Sequence, residues 1–369
     1  MLTIRALSKI YANRYDAHAG GVRDITFSLP SGTFFTLLGP SGCGKTTTLR
    51  CVAGLERPDA GCVALGERVL FDSERGIAVP MNQRGIGMVF QSYAIWPHMT
   101  VFENVAFPLR HKRPRLARAE IRERVAKALQ LVHLDGLEDR PAPYLSGGQQ
   151  QRLALARALV GEPRVLLLDE PLSNLDAKLR EEMRFEIRQV VDRLGVTTLF
   201  VTHEQIEALT MSDVMAVMKD GVIIQEGAPA EIYTRPAAEF VADFIGRTNF
   251  LRGTVASVGG DGDMPVASIE TPIGVLACRV DAATRAGDAV TVAVRPENVA
   301  IALDEGGGGG ENSFAGTVES VVYVGNMLDC LVAVAGERIR LQLHPSASLA
   351  RGTNVRLDLP VEHCLAMQR

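Results

Sequence analysis

The sequence predicts an α/β fold in its first two thirds and a small β-barrel in its last third. Three observations support this fold class. A glycine-rich loop at residues 39–46 lies between an apolar run and a helix-compatible segment, and a second apolar run ends at residue 168 before two acidic residues. Beyond residue 240, short alternating runs separated by glycine turns replace the helical patterns, as is typical of small barrels.

The glycine-rich loop, GPSGCGKT at residues 39–46, fits the pattern G-x-x-x-x-G-K-[ST]. The run at 33–38 predicts a buried strand before it, and the segment 46–53 predicts a helix that ends near Gly54. In such a loop, backbone N–H groups and the helix N-terminus bind phosphates, Lys45 reaches the β- and γ-phosphates, and the Thr46 hydroxyl ligates Mg²⁺. The alternative is an ordinary glycine-rich turn. The expected nucleotide-binding residues here are Gly39, Pro40, Ser41, Gly42, Cys43, Gly44, Lys45, Thr46 and Thr47.

Two further segments carry candidate chemistry. LSGGQ at 145–149 opens a predicted helix for which Ser146 is a natural N-cap, and its glycines leave backbone N–H groups open to an anion. The apolar run 165–168 ends in Asp169, placed to hold Mg²⁺, and Glu170, placed to polarise a water molecule. The alternatives are an ordinary capped helix and a buried parallel strand with solvated acids at its exit.

Together these segments resemble the ATPase subunit of ATP-binding cassette (ABC) transporters, and the resemblance covers essentially the whole chain. It implies a P-loop NTPase (RecA-like) core with a helical subdomain. Six motifs occur in the family's order. They are the Walker A loop (39–46), the Q-loop Gln91, the signature (145–149), the Walker B Asp169 with Glu170, the D-loop (173–176) and the switch residue His203.

The resemblance also implies a role for each residue. Glu170 is expected to act as the general base, and His203 to contact the γ-phosphate and the attacking water. Gln91 is expected to sense the water and, with Thr46 and Asp169, Mg²⁺. An aromatic residue before the Walker A loop stacks on adenine in this family. Tyr11 is the first candidate and Tyr15 the second, and either is equally consistent with a surface residue.

In this family the signature of one subunit completes the ATP site of another. Ser146, Gly147, Gly148 and Gln149 are therefore expected to bind ATP held by a second copy, in a homodimer with two active sites. The resemblance further implies two membrane permease subunits and an extracytoplasmic solute-binding protein as partners.

The domain organisation follows from where the motifs lie. Residues 1–240 hold every ATPase motif and include a helical subdomain at about 91–160. Residues 241–369 are expected to form a regulatory barrel of OB or TOBE type, because Val294–Glu297 resembles a recurring motif of that domain. Whether this barrel binds a regulator or only dimerises is left open. Trp96, the chain's one tryptophan, is expected in a groove that receives a permease helix, with burial in the helical subdomain as the alternative.

Composition excludes several classes. A net charge of −4 gives no nucleic-acid footprint, and six cysteines without a C-x-x-C pair indicate reduced thiols and no zinc site. No apolar run is long enough to span a membrane, and the N-terminus lacks a signal-peptide core. A peripheral location at the cytoplasmic face of the inner membrane is therefore expected.

The imported solute is not encoded in the motifs. Residues 84–104 resemble ferric-iron importer ATPases most, with polyamine and phosphonate importers close behind. Sulfate and sugar importers remain alternatives. Two other classes stay open, namely a non-transport ABC ATPase and a non-catalytic interaction subunit. The first usually has two cassettes or a long coiled coil, and the second a degenerate Walker B acid or switch histidine.

Overall fold

The computed structural model describes residues 1–11, 20–112, 114–259, 265–303 and 310–368. The chain divides into two compact units, Met1–Ala230 and Glu231–Arg369. The boundary expected from the sequence, near residue 240, falls inside the second unit. Among the described residues, no helix is both long enough and apolar enough to cross a bilayer.

The first unit contains two sheets and the helices around them. Its strands are β1 (Leu2–Ile10), β2 (Gly21–Leu29), β3 (Phe34–Leu38), β4 (Ala60–Leu65), β5 (Arg68–Asp72), β6 (Ile77–Ala78), β7 (Ile86–Val89), β8 (Val165–Asp169), β9 (Thr197–Thr202), β10 (Val214–Lys219) and β11 (Val222–Gly227). Its helices are α1 (Lys45–Ala53), α2 (Val101–Arg110), α3 (Arg118–Leu131), α4 (Gly147–Leu159), α5 (Ala177–Leu194) and α6 (Gln205–Met211).

The central sheet has the strand order β11-β10-β3-β9-β8-β7. The strands from β10 to β7 pair in parallel, and β11 is antiparallel at the edge. In register, Leu38 lies opposite Thr202 and Asp169 lies opposite Val201, so β3, β8 and β9 end at the same edge. Loops at the carboxyl ends of parallel strands are where such sheets bind ligands. The other sheet, β2-β1-β4-β5-β6, is antiparallel.

The central strands are buried on both faces, which explains their continuous apolar runs. Side chains alternate along a strand, so Phe34 and Phe200 join one hydrophobic cluster with the helices α2 to α5. Their neighbours Phe35 and Leu199 join a second cluster with α1 and the antiparallel sheet. The strands predicted at 33–38 and 165–168 are thereby confirmed as β3 and β8.

The helix predictions around the motifs are also confirmed. Helix α1 ends at Ala53, and Gly54 caps it with a left-handed φ of 81°, the conformation that favours glycine at this position. Helix α4 begins after Ser146, whose hydroxyl accepts from the Gln149 N–H, while the Gln149 side chain accepts from the Ser146 N–H. This reciprocal capping box fixes the start of α4.

The second unit begins within a short helix, α7 (Pro229–Thr234), followed by α8 (Glu239–Phe244). Its strands are β12 (Asn249–Gly259), β13 (Val266–Thr271), β14 (Gly274–Arg279), β15 (Ala289–Val294), β16 (Ala300–Leu303), β17 (Ser313–Tyr323), β18 (Leu328–Val334), β19 (Glu337–Leu343), β20 (Asn354–Asp358) and β21 (Leu365–Gln368). The barrel predicted from the sequence is present, closed in the order β12-β13-β14-β21-β15. The remaining strands form a separate sheet, β16-β20-β17-β18-β19, which the sequence did not distinguish from the barrel.

Candidate nucleotide site

The glycine-rich loop wraps around the ammonium group of Lys45. Lys45 is 4% exposed, and its Nζ donates to the carbonyl oxygens of Gly39 at 2.7 Å and Pro40 at 2.9 Å. Gly44 caps α1 with φ 103°, a left-handed conformation that turns the loop into the helix. Gly39 has no room for a side chain, because a Cβ there would lie 2.4 Å from the Met218 carbonyl oxygen. The loop is therefore closely packed and holds a cation at the N-terminus of α1.

Thr46, at the first turn of α1, faces the end of β8. Its hydroxyl donates to Asp169 Oδ1 at 3.1 Å. Asp169 is 4% exposed, and burial raises its pKa above the ordinary value, although the Thr46 hydrogen bond opposes the shift. A hydroxyl and a carboxylate oxygen side by side are a donor set that suits Mg²⁺, which favours one or two carboxylates together with substrate phosphates.

Glu170 lies immediately after β8 and has a left-handed φ of 43°, which is strained for a non-glycine residue. Two side chains from other loops converge on its carboxylate. Gln91 Nε2 donates to Glu170 Oε2 at 3.3 Å, and His203 Nδ1 lies 3.2 Å from the same oxygen. Asn174 in turn donates to the Gln91 carbonyl oxygen at 2.8 Å. Residues far apart in the chain thus surround one carboxylate oxygen at the carboxyl edge of the sheet.

The buried carboxyl group of Glu207 stabilises the loop that carries His203. Glu207 of α6 is 3% exposed and accepts from the Thr202 hydroxyl at 2.5 Å. The Thr202 oxygen accepts in turn from the Glu204 N–H at 3.0 Å. Burial raises the pKa of Glu207, and its Oε1 has no hydrogen-bond partner among the described residues. Because Thr202 and Glu204 flank His203, this network fixes the backbone on both sides of the histidine.

The loop after Gln91 is clamped by an arginine of α4. Tyr93 and Ala94 both have left-handed φ values, 60° and 48°. Arg157, 8% exposed, donates to both of their carbonyl oxygens at 2.6 Å. Its guanidinium also lies 4.6 Å from the centroid of the Trp96 ring, which packs on Phe107 at 4.2 Å. Burial lowers the pKa of Arg157 to about 10. Trp96 is therefore half-buried, which lies between the exposed position expected of a docking groove and the full burial expected of a core residue.

Within the described structure, the signature segment, residues 145–149, is not hydrogen-bonded to the glycine-rich loop. Across the described ranges, no hydrogen bond or ion pair joins residues 146–149 to residues 39–47. Ser146 and Gly147 are exposed. A Cβ at Gly148 would meet the Leu179 side chain at 3.0 Å, so glycine lets α4 pack closely on α5.

Tyr11 is 40% exposed, and its hydroxyl donates to Glu56 and lies 3.5 Å from Thr47 Oγ1. Burial is the first cause of its raised pKa. This places the ring beside the first turn of α1. Tyr15, the other aromatic candidate, lies outside the described residues.

Two residues near the site were missed by the sequence analysis. Arg157 is a charged residue within the otherwise apolar run of α4, a pattern that indicates a specific buried partner. Glu207 follows His203 by four residues on the buried side of α6 and had no comparable signal.

Comparison with known families gives two matches. The model of the family described as ABC transporter matches residues 22–173, and that of the TOBE domain matches residues 292–367. The first match contains the 39–46 loop, Gln91, the 145–149 segment and Glu170, and the second contains most of the β-strands after β15.

Several curated relatives align along most of the chain. The spermidine/putrescine import ATP-binding protein PotA of Rubrobacter xylanophilus is 46% identical over 94% of this chain and 89% of its own length. The Fe(3+) ions import ATP-binding protein FbpC of Agrobacterium fabrum is 43% identical over 89% of this chain and 88% of its own. The trehalose/maltose import protein MalK of Thermococcus litoralis is 52% identical over 64% of each chain.

Solved structures with the same fold match the first unit. The ATP-binding cassette MJ0796, a dimer in a post-hydrolysis state bound to ADP and Pi, is 29% identical with a TM-score of 0.54. The match covers 62% of this chain and 99% of that one. The cbiO1 protein of Clostridium perfringens, part of the transporter complex cbiONQ, is 30% identical with a TM-score of 0.55, over 63% of this chain and 90% of its own.

Proposed function

Because this chain belongs to the ATP-hydrolysing import subunits of ABC transporters, we propose that it drives solute uptake through a membrane permease from the site around Lys45, Asp169 and Glu170. One observation carries the proposal most directly. Gln91 and His203, from two different loops, converge within 3.3 Å and 3.2 Å on the Glu170 carboxylate. That carboxylate lies at the same sheet edge as the Lys45 loop, which supports a site where phosphate and the attacking water would meet.

Phosphate binding is assigned to the loop and the start of α1. The Lys45 ammonium now bonds to carbonyl oxygens of its own loop. ATP would replace part of this bonding with charge-assisted contacts to the β- and γ-phosphates, while the backbone N–H groups of the loop bind the remaining oxygens. Tyr11 would stack on the adenine, since its ring lies beside Thr47.

Mg²⁺ is proposed to bind between Thr46 and Asp169, with Gln91 nearby. The hydroxyl and the carboxylate of the first two residues already lie 3.1 Å apart, and both are oxygen ligands of the kind Mg²⁺ takes. When bound, the ion would neutralise charge on the phosphate oxygens.

Hydrolysis is proposed to use Glu170 as the general base. Its Oε2 would accept a proton from the attacking water, while Gln91 and His203 orient that water and the carboxylate. His203 is half-exposed, at 42%, and so can also reach an incoming γ-phosphate. Glu170 contacts Gln91 and His203 while Asp169 accepts from Thr46, so metal binding and proton transfer are assigned to adjacent residues.

A second copy of the chain is proposed to complete the site. Ser146 and Gly147 lie exposed at the N-terminus of α4 and make no hydrogen bond to the glycine-rich loop of their own chain within the described residues. Backbone N–H groups at a capped helix start suit a phosphate. They would therefore bind ATP held by the partner copy, with Gln149 alongside.

A polyamine is proposed as the imported solute. Several of the most similar relatives are spermidine/putrescine import proteins that align along most of this chain. Ferric iron is the second candidate, because the FbpC relative aligns nearly as far and residues 84–104 resemble that class. The chain would act with two permease subunits and a solute-binding protein, at the cytoplasmic face of the membrane.

The experiment combines activity with uptake. Purified full-length protein should hydrolyse ATP with Mg²⁺, and a strain lacking the chain should lose uptake of labelled spermidine and putrescine. The wild-type chain should restore uptake and the Glu170→Gln variant should not. Loss of ferric-iron uptake alone would favour the second candidate. Active ATPase with no uptake defect for either solute would leave phosphonate, sulfate or sugar import and the non-transport class, which uptake assays with those three solutes then separate.

A further inference from the structure

The second unit contains a cavity of about 310 Å³ beside the start of the barrel. Its wall includes the segment after α7, the end of β14 and the end of β15. Among the described residues, the wall contains Arg235, Arg279, Arg295 and His363 with one carboxylate, Glu362. In this described part of the wall, guanidinium groups outnumber carboxylates.

Arg295 forms the buried part of this wall. It is 7% exposed, and its Nη1 donates to the Ala242 carbonyl oxygen at 2.8 Å, the Arg247 carbonyl oxygen at 3.2 Å and the Thr248 hydroxyl at 2.5 Å. Its Nη2 donates to the Tyr233 carbonyl oxygen at 3.1 Å. All of these acceptors are uncharged, and no carboxylate of the described chain forms an ion pair with Arg295. The Glu297 carboxylate, which accepts from the Tyr233 hydroxyl, acts on Arg295 through its charge without forming an ion pair with it. A buried cation without a direct ion pair is costly, so the wall favours an anion beside it.

Arg279 offers the free contact. It is half-buried at the end of β14, and within the described ranges its guanidinium makes no hydrogen bond and no ion pair. The planar fork of an arginine matches the two oxygens of a carboxylate or phosphate group.

We propose that this cavity binds a small organic anion bearing carboxylate or phosphate groups, with Arg279 as its direct contact. The volume is at the lower end of the range for small-molecule pockets, and Ala293 and Leu365 add an apolar wall for the carbon skeleton of the ligand. The site is separate from the nucleotide machinery, since none of its residues belongs to the first unit.

Thermal unfolding of the full-length protein tests the proposal. The nucleotide site is first saturated with a non-hydrolysable ATP analogue, so that its γ-phosphate position is filled and added phosphate does not bind there. Mg²⁺ is kept in excess over citrate, because citrate chelates Mg²⁺. Citrate is then titrated in one arm and inorganic phosphate in the other. We expect at least one probe to raise the Tm of the wild type in a saturable way. In Arg279→Gln the affinity for that probe should fall by a factor of about ten or more.

Arg252→Gln is the matched control, because Arg252 is an exposed arginine of β12 outside the cavity wall, and it should respond like the wild type. Arg279→Lys keeps the charge and should bind better than Arg279→Gln, which separates lost binding from misfolding. A response to citrate alone assigns the carboxylate source, and a response to phosphate alone assigns the phosphate source. No Tm rise with either probe, or equal rises in wild type and Arg279→Gln, would overturn the proposal.

Basal ATPase of Arg279→Gln should equal that of the wild type, because the residue lies outside the nucleotide site. The cavity proposal can then fail while ATP hydrolysis stands, or the reverse, and the two failures are distinguished.

Discussion

Glu170 shows how one strained backbone residue separates two tasks. Strand β8 ends at Asp169, and the left-handed φ at Glu170 changes the direction of the chain at once. Asp169 accepts from Thr46, while the neighbouring Glu170 contacts Gln91 and His203. Two acids adjacent in sequence thereby serve different partners. Such strain persists at functional sites because the surrounding contacts determine the backbone.

Lys45→Ala should abolish measurable ATP binding. The loop loses its one buried ammonium, and charge-assisted contacts of this kind contribute about 1.5–3 kcal/mol each. Calorimetric titration with ATP checks the prediction. Lys127→Ala is the control, because Lys127 lies on the exposed face of α3 in an ion pair with Glu123. Near wild-type affinity in Lys45→Ala would contradict the phosphate-loop assignment.

Glu207 predicts a pH dependence of stability. Burial raises its pKa above the ordinary value of 4.5, so the folded state binds this proton more tightly than the unfolded state. Below pH 4.5 the carboxyl group is protonated in both states, and its stabilising contribution is fully present. As the pH rises above 4.5 toward the folded pKa, that contribution is lost. The charged groups facing it are Glu204, which raises the pKa further, and Arg180 and Arg184, which lower it.

Glu207→Gln removes this titration. The free energy of unfolding of the variant, relative to wild type, should therefore move in the variant's favour as the pH rises above 4.5 toward the pKa of Glu207 in the folded protein. Urea unfolding of both proteins across the pH range measures it. Glu123→Gln is the control with the opposite sign, because Lys127 lowers the pKa of Glu123. A difference that does not vary with pH would contradict the prediction.

At the scale of single residues, the sequence predicted features set by neighbouring residues better than contacts between residues far apart in the chain. The strand, loop and helix around Lys45 follow from hydrophobic runs and glycine positions within twenty residues, and the structure has them. The Arg157 contact to Tyr93 and Ala94 joins residues more than sixty positions apart. Hydrophobic periodicity does not encode such a contact. The position of Arg157 within the apolar run at residues 153–159 is the sequence signal that could have indicated it.

At the scale of elements, α4 connects two motifs. Its N-terminus carries the Ser146 cap, and its last turn carries Arg157, which holds the strained loop after Gln91. Movement of α4 against a second copy would therefore be transmitted to the segment around Trp96. The Asn104 side chain adds rigidity there, accepting from the Trp96 N–H and donating to the Trp96 carbonyl oxygen.

Trp96→Ala should leave basal ATPase largely intact and weaken assembly with the permease. The ring is half-buried against Phe107 and Arg157, so part of its surface remains for a partner helix. Aromatic anchors in such grooves contribute about 2 kcal/mol or more. ATPase of the isolated subunit and co-purification with the permease are measured together.

Phe185→Ala, which removes an exposed aromatic ring of α5, is the control and should co-purify normally. Normal assembly and transport in Trp96→Ala would refute the docking role. An unfolded variant would instead favour the buried-tryptophan alternative.

At the scale of the whole molecule, the parallel sheet brings the loops that carry Lys45, Glu170 and His203 to one edge. The sequence indicated buried strands before each motif but not their order, and the order β3-β9-β8 places Lys45, His203 and Glu170 together. In the second unit, alternating residues predicted strands correctly. They did not predict which strands pair, because alternation records the buried face and not the neighbour. The last strand, β21, closes the barrel from the far end of the chain.

Glu170→Gln should bind ATP, hydrolyse it roughly 10²–10⁴-fold more slowly, and accumulate as a dimer closed on ATP. The amide keeps the shape of the side chain and removes the proton acceptor. Size-exclusion chromatography with ATP and Mg²⁺ checks the dimer, and the same run without nucleotide is the control. A variant that stays monomeric and hydrolyses ATP at the wild-type rate would contradict the general-base role of Glu170.

Trp96 gives the molecule a built-in optical reporter. It is the one tryptophan in the chain, so indole emission comes from a single place, the segment after Gln91. The guanidinium of Arg157 lies 4.6 Å from its ring, and Phe107 covers one side. Any displacement of α4 or of that segment changes the charge and solvent around the indole. The wavelength and intensity of the tryptophan fluorescence of unlabelled protein should therefore follow, in real time, each opening and closing of the cassette.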